Sequence, residues 1–130
     1  MGSINKVLLI DTHLTYPNWS VGKLNNVFQQ VAKDFIISKS IQEIETKVEN
    51  GYIPEQEVEK HIEADIIILQ TPVNWFGAPW IYKKYVDEVF NSGLNSQKFL
   101  IGDGRTRTDP TKQYGTGGKL HGRKFIICAT

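Results

Sequence analysis

Apolar residues fall along this chain in two rhythms. Unbroken short runs occur at Val7-Leu8-Leu9-Ile10, Ile66-Ile67-Ile68-Leu69 and Phe125-Ile126-Ile127-Cys128. Runs of this length suit strands buried on both faces, as in a parallel sheet. Lys6 opens the first of them. Ile44, Thr46 and Val48 alternate with Glu45 and Lys47, the period of a half-exposed outer strand. Between these runs the spacing becomes helical. Leu24, Val27, Phe28, Val31 and Phe35 line the apolar side of a helix expected over 22–35. Gly51 and Pro54 punctuate the turn into a short helix over 55–63, with Val58 and Ile62 inward. A third helix starts at Pro79 and carries Tyr82, Tyr85, Val86, Val89 and Phe90 on one face, with Lys83, Lys84, Asp87 and Glu88 on the other. Pro79 fits a first turn, and Gly93 is expected just past the helix end. Strands alternating with helices predict an α/β fold around a parallel sheet.

Two loops carry the candidate chemistry. The first strand ends at Asp11-Thr12-His13 and leads through Tyr16, Pro17, Asn18, Trp19 and Ser20, with no helical period, to a helix start. A polar loop running into a helix N-terminus makes an anion site from hydroxyls, free N–H groups and the helix's partial positive end. The stretch has no G-x-G-x-x-G or Walker pattern, so its own motif makes it neither a dinucleotide Rossmann domain nor a P-loop NTPase. On residue types alone, Ser20 could equally cap the helix and His13 lie on the surface. The second loop, Thr71-Pro72-Val73-Asn74-Trp75-Phe76-Gly77-Ala78, leaves the carboxyl end of a central strand, where open α/β sheets bind ligands. Two adjacent aromatics there offer a flat platform for a planar ring, with loop N–H and C=O groups at its edge. Core packing is the competing reading for Trp75 and Phe76. Their place on a loop argues against it. Trp80 reads as a helix-packing or interface residue. The group Glu55, Glu57, Glu59 and Lys60 reads as a solvated face.

Composition narrows the classes further. A chain of 130 residues predicts one domain, and 40% hydrophobic content can supply its core. A formal net charge of +1 gives no pull toward nucleic acid, anionic membrane or acidic substrates. No apolar run approaches the roughly 18 residues of a membrane span. No apolar signal segment follows Met1-Gly2-Ser3, so secretion is not expected. Cys128 is the single cysteine; it makes no internal disulfide, builds no metal site by itself, and reads as a small core residue. A reducing cytoplasm is the expected location.

Longer runs bring a family into view. Pro72-Val73-Asn74-Trp75-Phe76-Gly77-Ala78-Pro79-Trp80, Lys83-Lys84-Tyr85 and Asp87-Glu88-Val89-Phe90 resemble the flavodoxin-like NAD(P)H:quinone reductases, and within them the bacterial modulator of drug activity B group. Asp103-Gly104-Arg105-Thr106-Arg107, Asp109-Pro110 and Tyr114-Gly115-Thr116-Gly117-Gly118 extend the resemblance over nearly the whole chain. It implies a three-layer flavodoxin-like fold and a two-electron reduction, with hydride passing from NAD(P)H through flavin N5 to a quinone. It implies FAD rather than FMN, although the residues themselves do not separate the two. It places His13, Ser20, Gly22, Leu24 and Asn25 at the flavin phosphates. Pro72, Val73, Asn74, Trp75 and Phe76 would meet the ring. The irregular segment 91–123 would lie at the site rim and subunit contact, with Tyr114 near the flavin. No catalytic acid or base is implied, because the cofactor carries the chemistry.

The five-stranded order is 2-1-3-4-5, and four strands are found here. The expected sheet is therefore 2-1-3-4, with the fifth strand missing and Thr130 alone standing for the loop after the fourth. The chain reads as the amino-terminal part of a longer reductase whose uncovered fourth strand invites a homodimer. A flavin-binding electron carrier and a non-catalytic remnant remain the alternative functions. A response-regulator receiver is excluded, since Leu8, Leu9 and Ile10 supply no acids beside Asp11.

Overall fold

The computed structural model describes residues 2–130. Four parallel strands form one sheet in the order β2-β1-β3-β4: β1 Lys6–Asp11, β2 Gln42–Lys47, β3 Ile66–Thr71 and β4 Lys124–Ala129. The expected order is thus observed. Helices α1 (Lys23–Ser38), α2 (Pro54–Glu63) and α3 (Trp80–Asn95) make the crossovers. A 3₁₀ turn, Val48–Asn50, closes β2 and takes Val48 out of the strand expected to contain it.

Strand alternation divides the core in two. Leu8, Ile10, Ile67 and Leu69 face Val58 of α2 and Tyr85 and Val89 of α3. Val7 and Leu9 face Ile36 of α1, with Ala32, Ile66 and Ile68 at the margin. The layers are therefore α1, sheet, and α2 with α3.

Helix α1 departs from the sequence pattern. Its apolar side, Leu24, Val27, Phe28, Val31 and Phe35, is turned outward and is 44–61% exposed. Asn25, Gln29 and Ile36 are buried instead. The rotation follows from polar partners on the inner side. Asn25 Nδ2 donates to Asp11 Oδ1 at 2.8 Å and Gln29 Nε2 to Glu45 Oε1 at 3.4 Å. Turning the apolar side inward would cost buried Asp11 the Asn25 donor and leave it the His13 N–H alone, a loss of about 1 kcal/mol or more. Strand β4 is bare as well. Phe125, Ile126 and Ile127 remain 47–62% exposed, and their alternation places apolar groups on both faces of the sheet.

Helix α3 runs past Gly93, which lies inside it, not beyond its end. A Cβ there would stand 2.3 Å from the Phe99 ring, so the missing side chain makes room for an aromatic. Phe99 also meets Phe90 and the ring of His61. Glu57 corrects the solvated-face reading of its helix. It is buried, and accepts from Thr46 Oγ1, Tyr85 Oη and Lys60 Nζ at 2.7 Å each.

Burial pushes the His61 imidazole below its ordinary value, although its Nδ1 donates to the Glu57 carbonyl at 2.8 Å. The fold therefore favours neutral His61. The unfolded imidazole takes its proton near pH 6.5. Stability from this group is complete above that pH and declines as pH falls toward the depressed folded value. Urea midpoints between pH 7.5 and 5 are expected to drop less in His61→Gln than in the parent chain. Equal slopes would remove His61 as a contributor.

The irregular segment expected over 91–123 starts later, because 91–95 continue α3; the remainder, 96–123, is irregular but closely tied. Ile101 N–H donates to Gly117 O at 2.8 Å and Lys119 N–H to Phe99 O at 2.7 Å, with Leu100 and Gly118 bridged. Arg123 ties its far end to the carbonyls of His61 and Ile62.

Candidate functional site

The strand order reverses between β1 and β3, and the loops leaving their carboxyl ends diverge there. Between these loops lies a cleft of about 510 Å³, lined by Tyr16, Trp19, Asn74, Trp75, Ala78, Pro79 and Trp80. Its size is that of a small-molecule site. Tyr16 and Trp19 meet edge to face at 5.1 Å. All three tryptophans of the chain border this one space.

The β3–α3 loop presents its aromatics outward. Trp75 is 85% exposed and Phe76 99%. Asn74 and Gly77 close a two-residue turn through Asn74 N–H to Gly77 O at 2.8 Å and Gly77 N–H to Asn74 O at 3.1 Å. Both central residues have positive φ, 47° at Trp75 and 70° at Phe76. Such turns favour Asn and Gly, and each L side chain in that region costs roughly 1–2 kcal/mol. Bulky exposed residues in this conformation gain nothing from packing. Strain without burial is a mark of a functional constraint. The core-packing reading of Trp75 and Phe76 therefore fails.

Val73 N–H donates to Thr130 O at 2.8 Å and Thr130 N–H to Thr71 O at 3.0 Å, so Thr130 latches the base of the loop. The N–H groups of Val73 and Asn74 are thus occupied inside the protein. Pro72 is buried, and its carbonyl accepts from Thr71 Oγ1 at 3.2 Å.

The β1–α1 loop is built on buried polar groups. His13 is buried, not on the surface, and its Nε2 lies 3.1 Å from Ser20 Oγ. Ser20 does not cap α1. Gly22 is the N-cap residue, at φ 77°, and no side chain caps the helix. A Cβ on Gly22 would come within 2.6–2.9 Å of the His13 ring. Asn26 N–H reaches Gly22 O at 2.8 Å, and the first N–H groups of a helix have no intrahelical acceptor. No acidic residue sits in the first turn to oppose an anion. Leu24 is exposed beside it. Glu49 fastens the loop from the 3₁₀ turn by accepting Thr15 N–H at 2.8 Å and Thr15 Oγ1 at 3.2 Å. Partial burial pulls the Glu49 carboxyl upward, and the Thr15 donors with nearby Lys47 outweigh it, leaving the group below its usual range.

Two expected residues do not bring their side chains to this cleft. The Asn25 side chain is spent within the protein. Tyr114 lines a separate cavity of about 450 Å³ with Phe90, Phe99 and Leu120, and Arg105 lies over its ring at 5.4 Å. Tyr16, Trp19 and Trp80 join the cleft without having been singled out as site residues. Trp80 flanks a loop already chosen for its aromatics, while Tyr16 and Trp19 lie on the β1–α1 loop, which was chosen for its polar groups.

Comparison with known proteins places the fold. The model of a family described as having the flavodoxin-like fold matches residues 5–130. The chain belongs to this flavodoxin-like family. It is 37% identical over 124 residues to the NADPH:quinone oxidoreductase MdaB of Haemophilus influenzae, covering 95% of this chain and 63% of that protein. An uncharacterized Schizosaccharomyces pombe protein is 41% identical over 125 residues, covering 96% of this chain and 62% of its own length. The crystal structure of a candidate quinone reductase from Klebsiella pneumoniae shares the fold at a TM-score of 0.71 and 21% identity, covering 98% of this chain and 59% of that one. The flavodoxin-like chain thus spans a little under two thirds of the curated relatives it matches. Among the described residues, no helix is long and apolar enough to cross a membrane.

Proposed function

We propose that the chain forms the flavin-binding part of an NAD(P)H:quinone oxidoreductase. The observation that carries this reading is the exposed Trp75–Phe76 turn, held at positive φ beside an aromatic cleft at the β1/β3 switch point. The residues fit a flavin at both ends. Trp75 and Phe76 supply a flat apolar platform for the ring, and the turn's remaining main-chain groups serve its edge. The uncapped start of α1, with Gly22, Leu24 and the backbone N–H of Asn25, suits its phosphates. The His13–Ser20 pair shapes that seat, and Thr130 fixes the ring loop. When bound, the flavin supplies a two-electron relay from a nicotinamide to a quinone. The protein's part is to bind, orient and exclude water. FAD is preferred to FMN on the family resemblance, and the homodimer, with Tyr114 reaching a neighbouring site, on the same ground. A cytoplasmic location accords with quinone reduction by NAD(P)H.

Purified protein incubated with FAD and desalted is expected to retain flavin absorbance and to oxidise NAD(P)H when menadione is added. A colourless protein that takes up neither FAD nor FMN overturns the reading. Retained flavin without menadione reduction leaves an electron carrier. Light scattering on the same sample is expected to give a dimer, and a monodisperse monomer at high concentration removes the homodimer.

A further inference from the structure

We propose that Asn25 is a positioning residue whose carboxamide joins Asp11 of β1 to Gln70 of β3, and so fixes the start of α1 relative to the aromatic turn. The proposal rests on the flavin reading only for its consequence, not for its geometry. Asn25 Nδ2 donates to Asp11 Oδ1 at 2.8 Å, and Gln70 Nε2 donates to Asn25 Oδ1 at 3.1 Å. All three side chains are 2–3% exposed. The carboxylate is an acceptor when ionised, so it sets the orientation of the Asn25 amide, whose oxygen must then face Gln70. The amide donates to one neighbour and accepts from the other, which neither a carboxylate nor an apolar side chain of similar size can do.

The bonds reach both loops at their roots. Asp11 Oδ1 also accepts the N–H of His13, two residues before the loop turns outward, at 2.9 Å. The Gln70 carbonyl accepts Thr12 N–H at 3.0 Å, so Gln70 is held through backbone and side chain together. Thr71 follows, and its carbonyl takes the N–H of the latching Thr130. One relay therefore links the helix start that would hold an anion to the strand end that carries Trp75. A ligand gripped at both places needs the two set at a constant separation, which lowers the ordering cost of binding. Asn25 thus acts through its neighbours, not by touching the ligand with its side chain.

Gln70→Met removes the side-chain bond from β3 to the α1 start while leaving the Asn25–Asp11 bond and the backbone pairing of β1 with β3. Asn25→Leu cuts both bonds. Amide hydrogen exchange in the ligand-free chain is the first readout. Thr12 and Val73, one at the root of each loop, are expected to exchange about ten-fold faster in Gln70→Met, on the scale of one lost buried hydrogen bond. Asp65 and Ala64, whose N–H groups bond Lys6 O and Lys60 O at the opposite end of the sheet, are expected to hold their rates. Exchange that rises equally at all four sites, or at none, overturns the relay. If Asn25→Leu fails to fold, Gln70→Met alone decides. FAD titration of Gln70→Met is expected to show about ten-fold weaker binding than the parent. Unchanged FAD affinity beside faster exchange overturns the positioning role. A parent chain that takes up no FAD at all defeats the functional reading, and the exchange result still judges the relay.

Discussion

Trp75→Gly is expected to lower flavin affinity by about 10- to 100-fold while leaving the fold at least nearly as stable as before. The affinity estimate follows from aromatic stacking, worth roughly 1–3 kcal/mol per ring face. The stability estimate follows from two opposing backbone effects. Trp75 sits at φ 47°, and relieving an L side chain there returns roughly 1–2 kcal/mol. Glycine loosens the unfolded chain and takes back roughly 0.4–1 kcal/mol. At 85% exposure the indole contributes almost no burial to lose. Isothermal titration with FAD and a thermal melt on one preparation measure both quantities. Unchanged affinity would remove Trp75 from the site. A fall in Tm of several degrees would mean that the indole packs against the protein in solution.

Glu57→Leu is expected to be the most destabilising of the substitutions considered, at about 3 kcal/mol. Removing one partner of a buried ion pair typically costs 3–5 kcal/mol. The low end applies because the Lys60 side chain retains 29% exposure and can turn to water. The remaining cost falls on Thr46 and Tyr85, whose hydroxyls lose their acceptor in the interior. For a domain of this size the change corresponds to a fall in Tm of about 10 °C. Glu57→Gln keeps an acceptor and most of the volume, and about 1 kcal/mol is expected. Equal melting curves for the two variants would show that charge, not hydrogen bonding, governs the site. The consequence extends to the cleft. Tyr85 belongs to α3, whose first residue is Trp80, so Glu57 braces the helix that begins at the aromatic wall.

Much of this was readable in the amino-acid order. Three apolar runs and one alternating stretch gave four strands within a residue or two, because short apolar runs carry a plain signal, although the burial expected for the last run is not found at β4. The second and third helix starts were placed within one residue: Glu55 was expected where Pro54 opens α2, and Pro79 was expected in the first turn where it is the N-cap before Trp80. Helix orientation was not readable. In α1 the apolar positions form the better amphipathic pattern, yet buried polar bonds from Asn25 and Gln29 decide which side faces the sheet. Periodicity weighs hydrophobicity and is blind to a hydrogen-bond partner forty-five residues away, as Gln70 is from Asn25. Glu57 was misread for the same reason: its partners Thr46 and Tyr85 come from other elements. Gly93 resembles a helix stop until Phe99 is seen against it. At the site, Trp75 and Phe76 stood out because aromatics on a loop are conspicuous. Trp80 lay close by in sequence and Trp19 on the distant β1–α1 loop, and only the fold shows that they close the same space.

That convergence has a practical outcome for spectroscopy. The chain's whole complement of indoles, Trp19, Trp75 and Trp80, surrounds a single opening, and each is more than half solvated. Indole emission from this polypeptide should accordingly be red and should report one locality, without background from an interior tryptophan. Any chromophore entering there would darken that emission by energy transfer, so occupancy could be followed in the native chain with no label attached.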